Sequence, residues 1–165
     1  MFRSIRWRIA IPYVALTLAT LLGLIILVSQ RVRSAHLADL EARLLAEARL
    51  IADASQPALA AADSEALDAL ALRWASLIGG RVTIIGADGV VLGESHEERS
   101  QMDNHLDRPE VRQALASGAG SATRFSATLG QDMMYGAAPT LADGQVQGVA
   151  RVALPLAQVD ASVAA

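Results

Sequence analysis

A polar loop between residues 94 and 107 concentrates the side chains most able to do chemistry. Imidazole and carboxylate groups bind divalent metals, and this loop supplies His96, Glu97, Glu98, Asp103, His105 and Asp107. The spacing argues against a metal site, because there is no His-x-x-x-His pair on a helix and no regular calcium-binding loop. We therefore expect a solvated acidic loop without a metal, in which His105 caps the helix that starts at Pro109.

Signatures of catalysis and of nucleic-acid binding are missing from the sequence. It contains no cysteine, and it has no Gly-x-Ser-x-Gly motif for a nucleophilic serine. The net charge of -3 and the lack of a basic stripe with interleaved aromatic residues argue against a nucleic-acid partner. We expect neither catalysis nor a cofactor in this chain.

The first element that positions the rest is an apolar run from Ile9 to Val28, which contains no charged side chain. As a helix this run is long enough to cross the roughly 30 Å hydrocarbon core of a membrane. The hydroxyls of Thr17 and Thr20 can bond to the backbone one turn earlier, so they need no water. A cleaved signal peptide is the alternative, but its apolar stretch is shorter and ends in a small-x-small cleavage site.

The orientation follows from the arginines on either side of this run. Arg3, Arg6 and Arg8 precede it, whereas Arg31 and Arg33 follow it. The more basic flank usually stays in the cytoplasm. We therefore place residues 1 to 8 in the cytoplasm and the remainder outside, at the cell (inner) membrane.

Residues 29 to 55 are predicted to continue as an amphipathic stalk helix. Apolar residues recur there at steps of three and four, at Leu37, Leu40, Leu44 and Ile51. This stripe suits a coiled coil with a second copy of the chain, and it equally suits packing against the chain's own outer domain. We expect a homodimer through the stalk, which Gln56-Pro57 is predicted to end.

Residues 56 to 159 are predicted to form one α+β domain with a central antiparallel sheet of about five strands and flanking helices. One helix is N-capped near Asp63 and stopped by Gly79, and a short one begins at Pro109 and ends at Gly118. Asp88-Gly89 is expected to supply the positive φ angles of a hairpin turn. The predicted strands are 81–85, 90–92, 122–129, 132–139 and 147–156.

Four stretches of this domain resemble the extracytoplasmic sensor region of phosphate-regulon-type sensor histidine kinases. They are RVTIIGADGVVL at 81–92, MDNHLDRPEV at 102–111, GAGSATRFSAT at 118–128 and MYGAAP at 134–139. The element Asn104-His105-x-x-Arg108-Pro109-Glu110 is the most specific of these. The resemblance implies a PAS-like, single-Cache sensor domain between two membrane helices.

The resemblance also implies an intracellular kinase core after the second membrane helix. Residues 160–165 would begin the connection to that helix, so we expect the chain to be a fragment. ATP and magnesium would be bound only by the missing core, which would pass a phosphoryl group to a response regulator.

Residues Glu94 to Ser100 look like the Ser-His-Glu-x-Arg box around a kinase's phospho-accepting histidine. Such a box needs its histidine exposed on a long helix, with Thr-Pro after the arginine. Here Ser100-Gln101 follows the arginine and a predicted hairpin precedes the box. We therefore interpret the match at His96 as chance.

The resemblance implies a ligand pocket between the sheet and the connecting helix. We predict that it is lined by His105, Arg108, Arg124 and Tyr135, and an arginine there could bind a carboxylate or phosphate with two hydrogen bonds. Two alternatives stay open: Arg124 lies on a solvated sheet face with Ser126 and Thr128, or Tyr135 belongs to the core. Sensing through a partner protein or through dimer mechanics would need no pocket.

These observations predict the signal-input region of a membrane-bound two-component sensor histidine kinase. The alternatives are the sensor domain of a chemoreceptor or another transmembrane transducer, and a stand-alone membrane-anchored binding protein. The sequence that follows Ala165 would separate the three.

Overall fold

A computed structural model describes residues 5–126 and 130–156, with side chains from residue 10 onward. Within these ranges the helices are α1 (Ile5–Ala60), α2 (Ser64–Ile78) and α3 (Pro109–Ser117), with a 3-10 turn at Arg99–Gln101. The strands are β1 (Arg81–Gly86), β2 (Val91–Glu94), β3 (Gly120–Ser126), β4 (Gln131–Ala142) and β5 (Gln145–Pro155). Part of the strand predicted at 122–129 and residues 157–165 lie outside the described residues.

The chain divides into two units, Met1–Leu40 and Glu41–Ala165. In the first unit the side chains of residues 10 to 35 are exposed. Thr17 Oγ1 donates to the carbonyl of Tyr13 at 2.9 Å, and Thr20 Oγ1 donates to that of Thr17 at 2.8 Å, as predicted. Among the described residues, α1 is the one helix whose length and composition would allow it to cross a membrane.

The predicted end of the stalk helix at Gln56-Pro57 is wrong, because α1 continues to Ala60. A proline this close to the helix end removes one backbone hydrogen bond. The final turn still closes, since the N–H of Ala61 donates to the carbonyl of Pro57 at 3.1 Å. Leu59 in that turn packs beside Gly148 of β5, which favours the extra turn.

The predicted N-cap of α2 and the predicted first and last residues of α2 and α3 are confirmed. Asp63 precedes α2, and its side chain accepts a hydrogen bond from the N–H of Ala66 at 3.0 Å. Pro109 begins α3. Gly79 and Gly118 end the two helices in the left-handed conformation, with φ angles of 67° and 79°.

The strands form one antiparallel five-stranded sheet in the order β2-β1-β5-β4-β3, as predicted in type and strand number. The β1–β2 hairpin is confirmed, but its turn differs from expectation. Gly89 alone of the pair Asp88-Gly89 has a positive φ, of 85°. The Asp88 carboxylate instead accepts from the N–H of Val90 at 3.1 Å, which closes the turn without a left-handed aspartate.

The two faces of the sheet are covered differently. On one face α1 and α2 lie so close that Gly136 faces Leu44 and Gly93 faces Leu67. On the other face α3 packs through a core cluster of Ile85, Val111, Ala114, Ala137 and Val149. Alternation along each strand sends neighbouring residues to opposite faces. The rest of the α3 face is left open for a cavity.

Candidate ligand-binding cavity

A cavity of about 310 Å³ lies on the α3 face of the sheet. Side chains of β1, β3, β4 and β5 line it together with the loop that precedes α3. The register Arg81↔Ala153 and Ala153↔Tyr135 places these three residues in one row across the sheet. The volume is at the lower end of the range for small-molecule sites.

All four residues predicted to line a pocket, His105, Arg108, Arg124 and Tyr135, line this cavity. The alternative that Arg124 lies on a solvated face is wrong. Its guanidinium lies 4.1 Å from the centre of the Tyr135 ring and donates to Glu110. Tyr135 is buried with Met133 and Ala153, so it belongs to the core and to the cavity wall at once.

A buried carboxylate, Glu110 of α3, holds two arginines of the cavity in place. Its Oε1 accepts from Arg124 Nη2 at 3.0 Å and lies 3.4 Å from Arg151 Nη1. Burial acts to raise the pKa of Glu110, but the hydrogen bond from Arg124 and the charges of Arg151 and Arg124 outweigh it and hold the pKa below its usual value. Glu110 is therefore ionised at neutral pH.

A second buried carboxylate, Glu94 of β2, extends the network across the sheet. Its Oε1 accepts from Arg81 Nε at 3.0 Å, and its Oε2 accepts from Thr83 Oγ1 at 2.8 Å. Thr83 Oγ1 in turn accepts from Arg151 Nη2 at 3.0 Å. One hydrogen-bonded chain thus joins both carboxylates to the arginines of the cavity.

Sequence reasoning missed Arg81, Glu94, Glu110 and Arg151 as members of the site. A signal was present for Arg151, because charged residues are rarely buried without a partner and it stands in the apolar run Gly-Val-Ala-Arg-Val-Ala-Leu at 148–154. Glu110 belongs to the most specific element of the resemblance. The residues next to it in the sequence, however, do not indicate that Arg124 and Arg151 are its partners.

Three arginines that line the cavity keep a buried donor without a partner in the described part of the chain. These donors are Arg81 Nη2, Arg124 Nε and Arg151 Nε. The Oε2 atom of Glu110 is also buried and unpaired. A buried donor on a charged group is costly to leave without an acceptor. The cavity is thus suited to an anion that accepts hydrogen bonds.

His105 lies in the cavity wall as a neutral imidazole. Its Nδ1 is 2.7 Å from the carbonyl of Asp103, which can only accept, so Nδ1 carries the proton. Burial, and then the charge of Arg151, lower the pKa of His105 to about 4. The expected capping role is wrong, because α3 has no side-chain cap and His105 contributes only its carbonyl, to the N–H of Arg108.

His105→Asn is expected to weaken the acid sensitivity of folding. The folded pKa of about 4 lies below the ordinary histidine pKa of 6.5. The unfolded chain therefore binds more protons between these two pH values, and stability falls as the pH drops through this window. The full shift corresponds to about 3 kcal/mol, of which about 2–3 kcal/mol is lost between pH 7 and pH 4. The amide of asparagine can keep the Nδ1 hydrogen bond, and it does not titrate.

Urea unfolding between pH 7 and pH 4 measures this effect. The wild type should lose about 2–3 kcal/mol more than His105→Asn over this interval. Parallel pH profiles for the two proteins would contradict the prediction, because carboxylates that titrate in the same range are common to both.

The acidic loop beside this cavity does not form a metal site. In residues 5–126 and 130–156, no three His, Cys, Asp or Glu side chains lie close enough together to hold an ion. His96 lies in a bend between β2 and the 3-10 turn. Its Nδ1 is 2.7 Å from Ser95 Oγ. It is therefore not on the long helix that a phospho-acceptor site requires.

Neither a family model nor a curated protein matches this sequence. Solved structures do match it. The sensor domain of the V. cholerae histidine kinase DctB has a TM-score of 0.67 at 20% identity, covering 81% of this chain and 56% of that one. The E. coli DcuS sensor domain has a TM-score of 0.67 at 15% identity, covering 79% and 99%. The chain has the fold of a PAS-like (Cache) sensor domain.

The PAS-like domain also resembles a chemoreceptor. The ligand-binding domain of Campylobacter jejuni Tlp3, solved with 4-methylisoleucine, matches with a TM-score of 0.66 at 15% identity, covering 81% of this chain and 58% of that one. The chain thus spans less than two thirds of the DctB and Tlp3 structures and nearly all of the DcuS domain. These likenesses confirm the predicted sensor fold.

Proposed function

We propose that this chain is the extracytoplasmic signal-input region of a membrane-bound two-component sensor histidine kinase, and that its PAS-like domain binds a small carboxylate. The observation that carries the ligand class is the set of unpaired guanidinium donors around the cavity. We propose that the ligand is bound by the four residues that the sequence predicts, His105, Arg108, Arg124 and Tyr135, together with Arg81 and Arg151.

The proposed location is the cell membrane, with residues 9–28 as the span and the PAS-like domain outside the cytoplasm. An apolar helix near the N-terminus supports the span. The sensor-domain fold supports the outer position, since it is shared with sensor domains of DctB and DcuS. A second span, a kinase core that uses ATP and magnesium, and a response regulator complete the proposal.

Strand β4 is the proposed route from the cavity to α1. Tyr135 faces the cavity, whereas the next residue, Gly136, lies against Leu44 of α1 on the opposite face. Two hydrogen bonds tie α1 to the same sheet, between Ser55 Oγ and Thr140 Oγ1 and from Ser121 Oγ to Glu41. A ligand that shifts β4 would therefore move α1. Leu44 and Ile51 of the apolar stripe are fully buried within the chain's own domain, so we propose that homodimers form through the part of α1 that precedes them.

A chemoreceptor is the second candidate, favoured by the fold shared with Tlp3. The reading frame after Ala165 separates the two. A second apolar span followed by a kinase core would support the main proposal, whereas a long coiled coil without an ATP-binding lobe would select the chemoreceptor. An anchored protein without any output domain would contradict both.

Arg124→Ala tests the binding site. Butyrate, succinate, L-2-aminobutyrate, 4-aminobutyrate and inorganic phosphate would be titrated against the full chain in detergent, with the melting temperature as readout. We expect at least one carboxylate to raise it, and Arg124→Ala to weaken that ligand's apparent affinity at least tenfold, since loss of one partner of a buried charge pair costs about 2–5 kcal/mol. Arg112→Ala is the control, because Arg112 is exposed on α3 and does not line the cavity.

Two results would contradict a carboxylate site in this cavity. One is that no carboxylate changes the melting temperature of the wild type. The other is that Arg124→Ala and Arg112→Ala respond to the ligand equally.

A further inference from the structure

We infer that the ligand of this cavity is a zwitterion, a small carboxylate that also carries an ammonium group, and not a dicarboxylate. The inference rests on the proposed carboxylate site and adds a second charge to the ligand. It follows from the opposite signs of charge at the floor and at the rim of the cavity.

The floor has room for one negative charge. Its ionic groups are the buried guanidinium groups of Arg81 and Arg151, the half-buried guanidinium of Arg124, and the buried carboxylates of Glu94 and Glu110. Three positive and two negative charges leave a net charge of +1 in this layer. His105 adds nothing at neutral pH, because its pKa is about 4. A single carboxylate neutralises the floor and supplies acceptors for the unpaired donors.

The rim carries the opposite charge. Glu97, Glu98 and Asp103 are exposed residues of the loop before α3, and all three line the cavity. Arg108 is the one basic residue of that loop that lines it with them. Three negative charges against one leave the rim at -2.

The rim carboxylates also have capacity for a ligand. Glu98 is fixed by hydrogen bonds from Ser100 Oγ at 2.8 Å and Gln101 Nε2 at 3.1 Å. In the described part of the chain, the carboxylates of Glu97 and Asp103 form no hydrogen bond or ion pair with another side chain. His105 adds one more acceptor, because its proton is on Nδ1 and Nε2 keeps a lone pair.

The two layers sort ligands by their second charged group. A carboxylate bound at the floor directs the rest of the ligand toward the rim, where a second carboxylate meets like charges and an ammonium group meets opposite ones. Water screens the exposed rim, so its effect is smaller than that of the floor arginines. The rim therefore sets specificity, and the floor supplies most of the affinity.

Four ligands with the same four-carbon chain isolate the second charge: butyrate, succinate, L-2-aminobutyrate and 4-aminobutyrate. Isothermal titration of each into the full chain in detergent at pH 7 gives their relative affinities. We expect one of the two amino ligands to bind at least tenfold more tightly than butyrate, and succinate to bind most weakly.

Neutralising the rim should remove this preference. In the triple variant Glu97→Gln, Glu98→Gln, Asp103→Asn, the better amino ligand and butyrate should differ by less than threefold, and succinate should bind more tightly than it does to the wild type. The matched control neutralises three exposed acids outside the cavity and should keep the wild-type order. Its substitutions are Asp53→Asn, Glu65→Gln and Asp107→Asn.

Each outcome distinguishes this inference from the proposed function. If succinate or butyrate binds as tightly as both amino ligands, the zwitterion is wrong while the carboxylate site stands. An unchanged order in the rim variant would also overturn the role of the rim. If none of the four ligands binds, both the inference and the carboxylate site are wrong.

Discussion

Glu110→Ala is expected to lower the free energy of unfolding by about 3–5 kcal/mol, because it removes the partner of the buried cation Arg151 and of the half-buried cation Arg124. Glu110 is fully buried, and its carboxylate contacts Arg124 at 3.0 Å and Arg151 at 3.4 Å. Arg151 is itself almost fully buried, and burial lowers its pKa only to about 10, so it stays charged at neutral pH. Without Glu110 it loses its nearest counter-charge.

Urea unfolding at pH 7, followed by circular dichroism, measures this loss. Glu110→Gln keeps the size of the side chain and one acceptor oxygen. We therefore expect its free energy of unfolding to lie between those of the wild type and Glu110→Ala. Glu65→Ala removes an exposed acid of α2 and should change stability by less than about 0.5 kcal/mol. A loss below 1 kcal/mol for Glu110→Ala would show that the buried arginines do not depend on this carboxylate.

Gly120→Ala is expected to cost about 3 kcal/mol, since β3 and α3 touch through their backbones at this position. A Cβ atom on Gly120 would overlap the carbonyl oxygen of Glu110 and lie 2.7 Å from the backbone nitrogen of Ala114. Neither atom can move without α3, which Val111 and Ala114 fix in the core. The substitution therefore forces the helix away from the strand.

Gly118→Ala is the matched control for this prediction. The Cβ position of Gly118 is open, but its φ of 79° strains any residue other than glycine. Its expected cost is about 1 kcal/mol, from backbone conformation alone. Equal losses of unfolding free energy for the two variants would contradict the steric explanation at Gly120.

Most element boundaries were predictable because their causes are local. Asp63 caps α2, and Gly79 and Gly118 end helices, through interactions among residues that are neighbours in the sequence. Strand number and hairpin positions follow from the period-two pattern and the turn residues. The predicted helix end at Pro57 was wrong, because Leu59 packs on the sheet. This tertiary contact favours the extra helical turn more than the proline disfavours it.

The sequence by itself determined an apolar helix, a stalk and an α+β domain, and it placed His105, Arg108, Arg124 and Tyr135 at one candidate pocket. Only the tertiary structure decided that Glu94 and Glu110 hold Arg81, Arg124 and Arg151 around that cavity. Arg151 is 41 residues from Glu110 in sequence, and its hydrogen bond to Thr83 spans 68 residues. Strand register and helix packing determine these partners, because they bring together residues that are distant in the sequence. No local sequence pattern predicts such a pair.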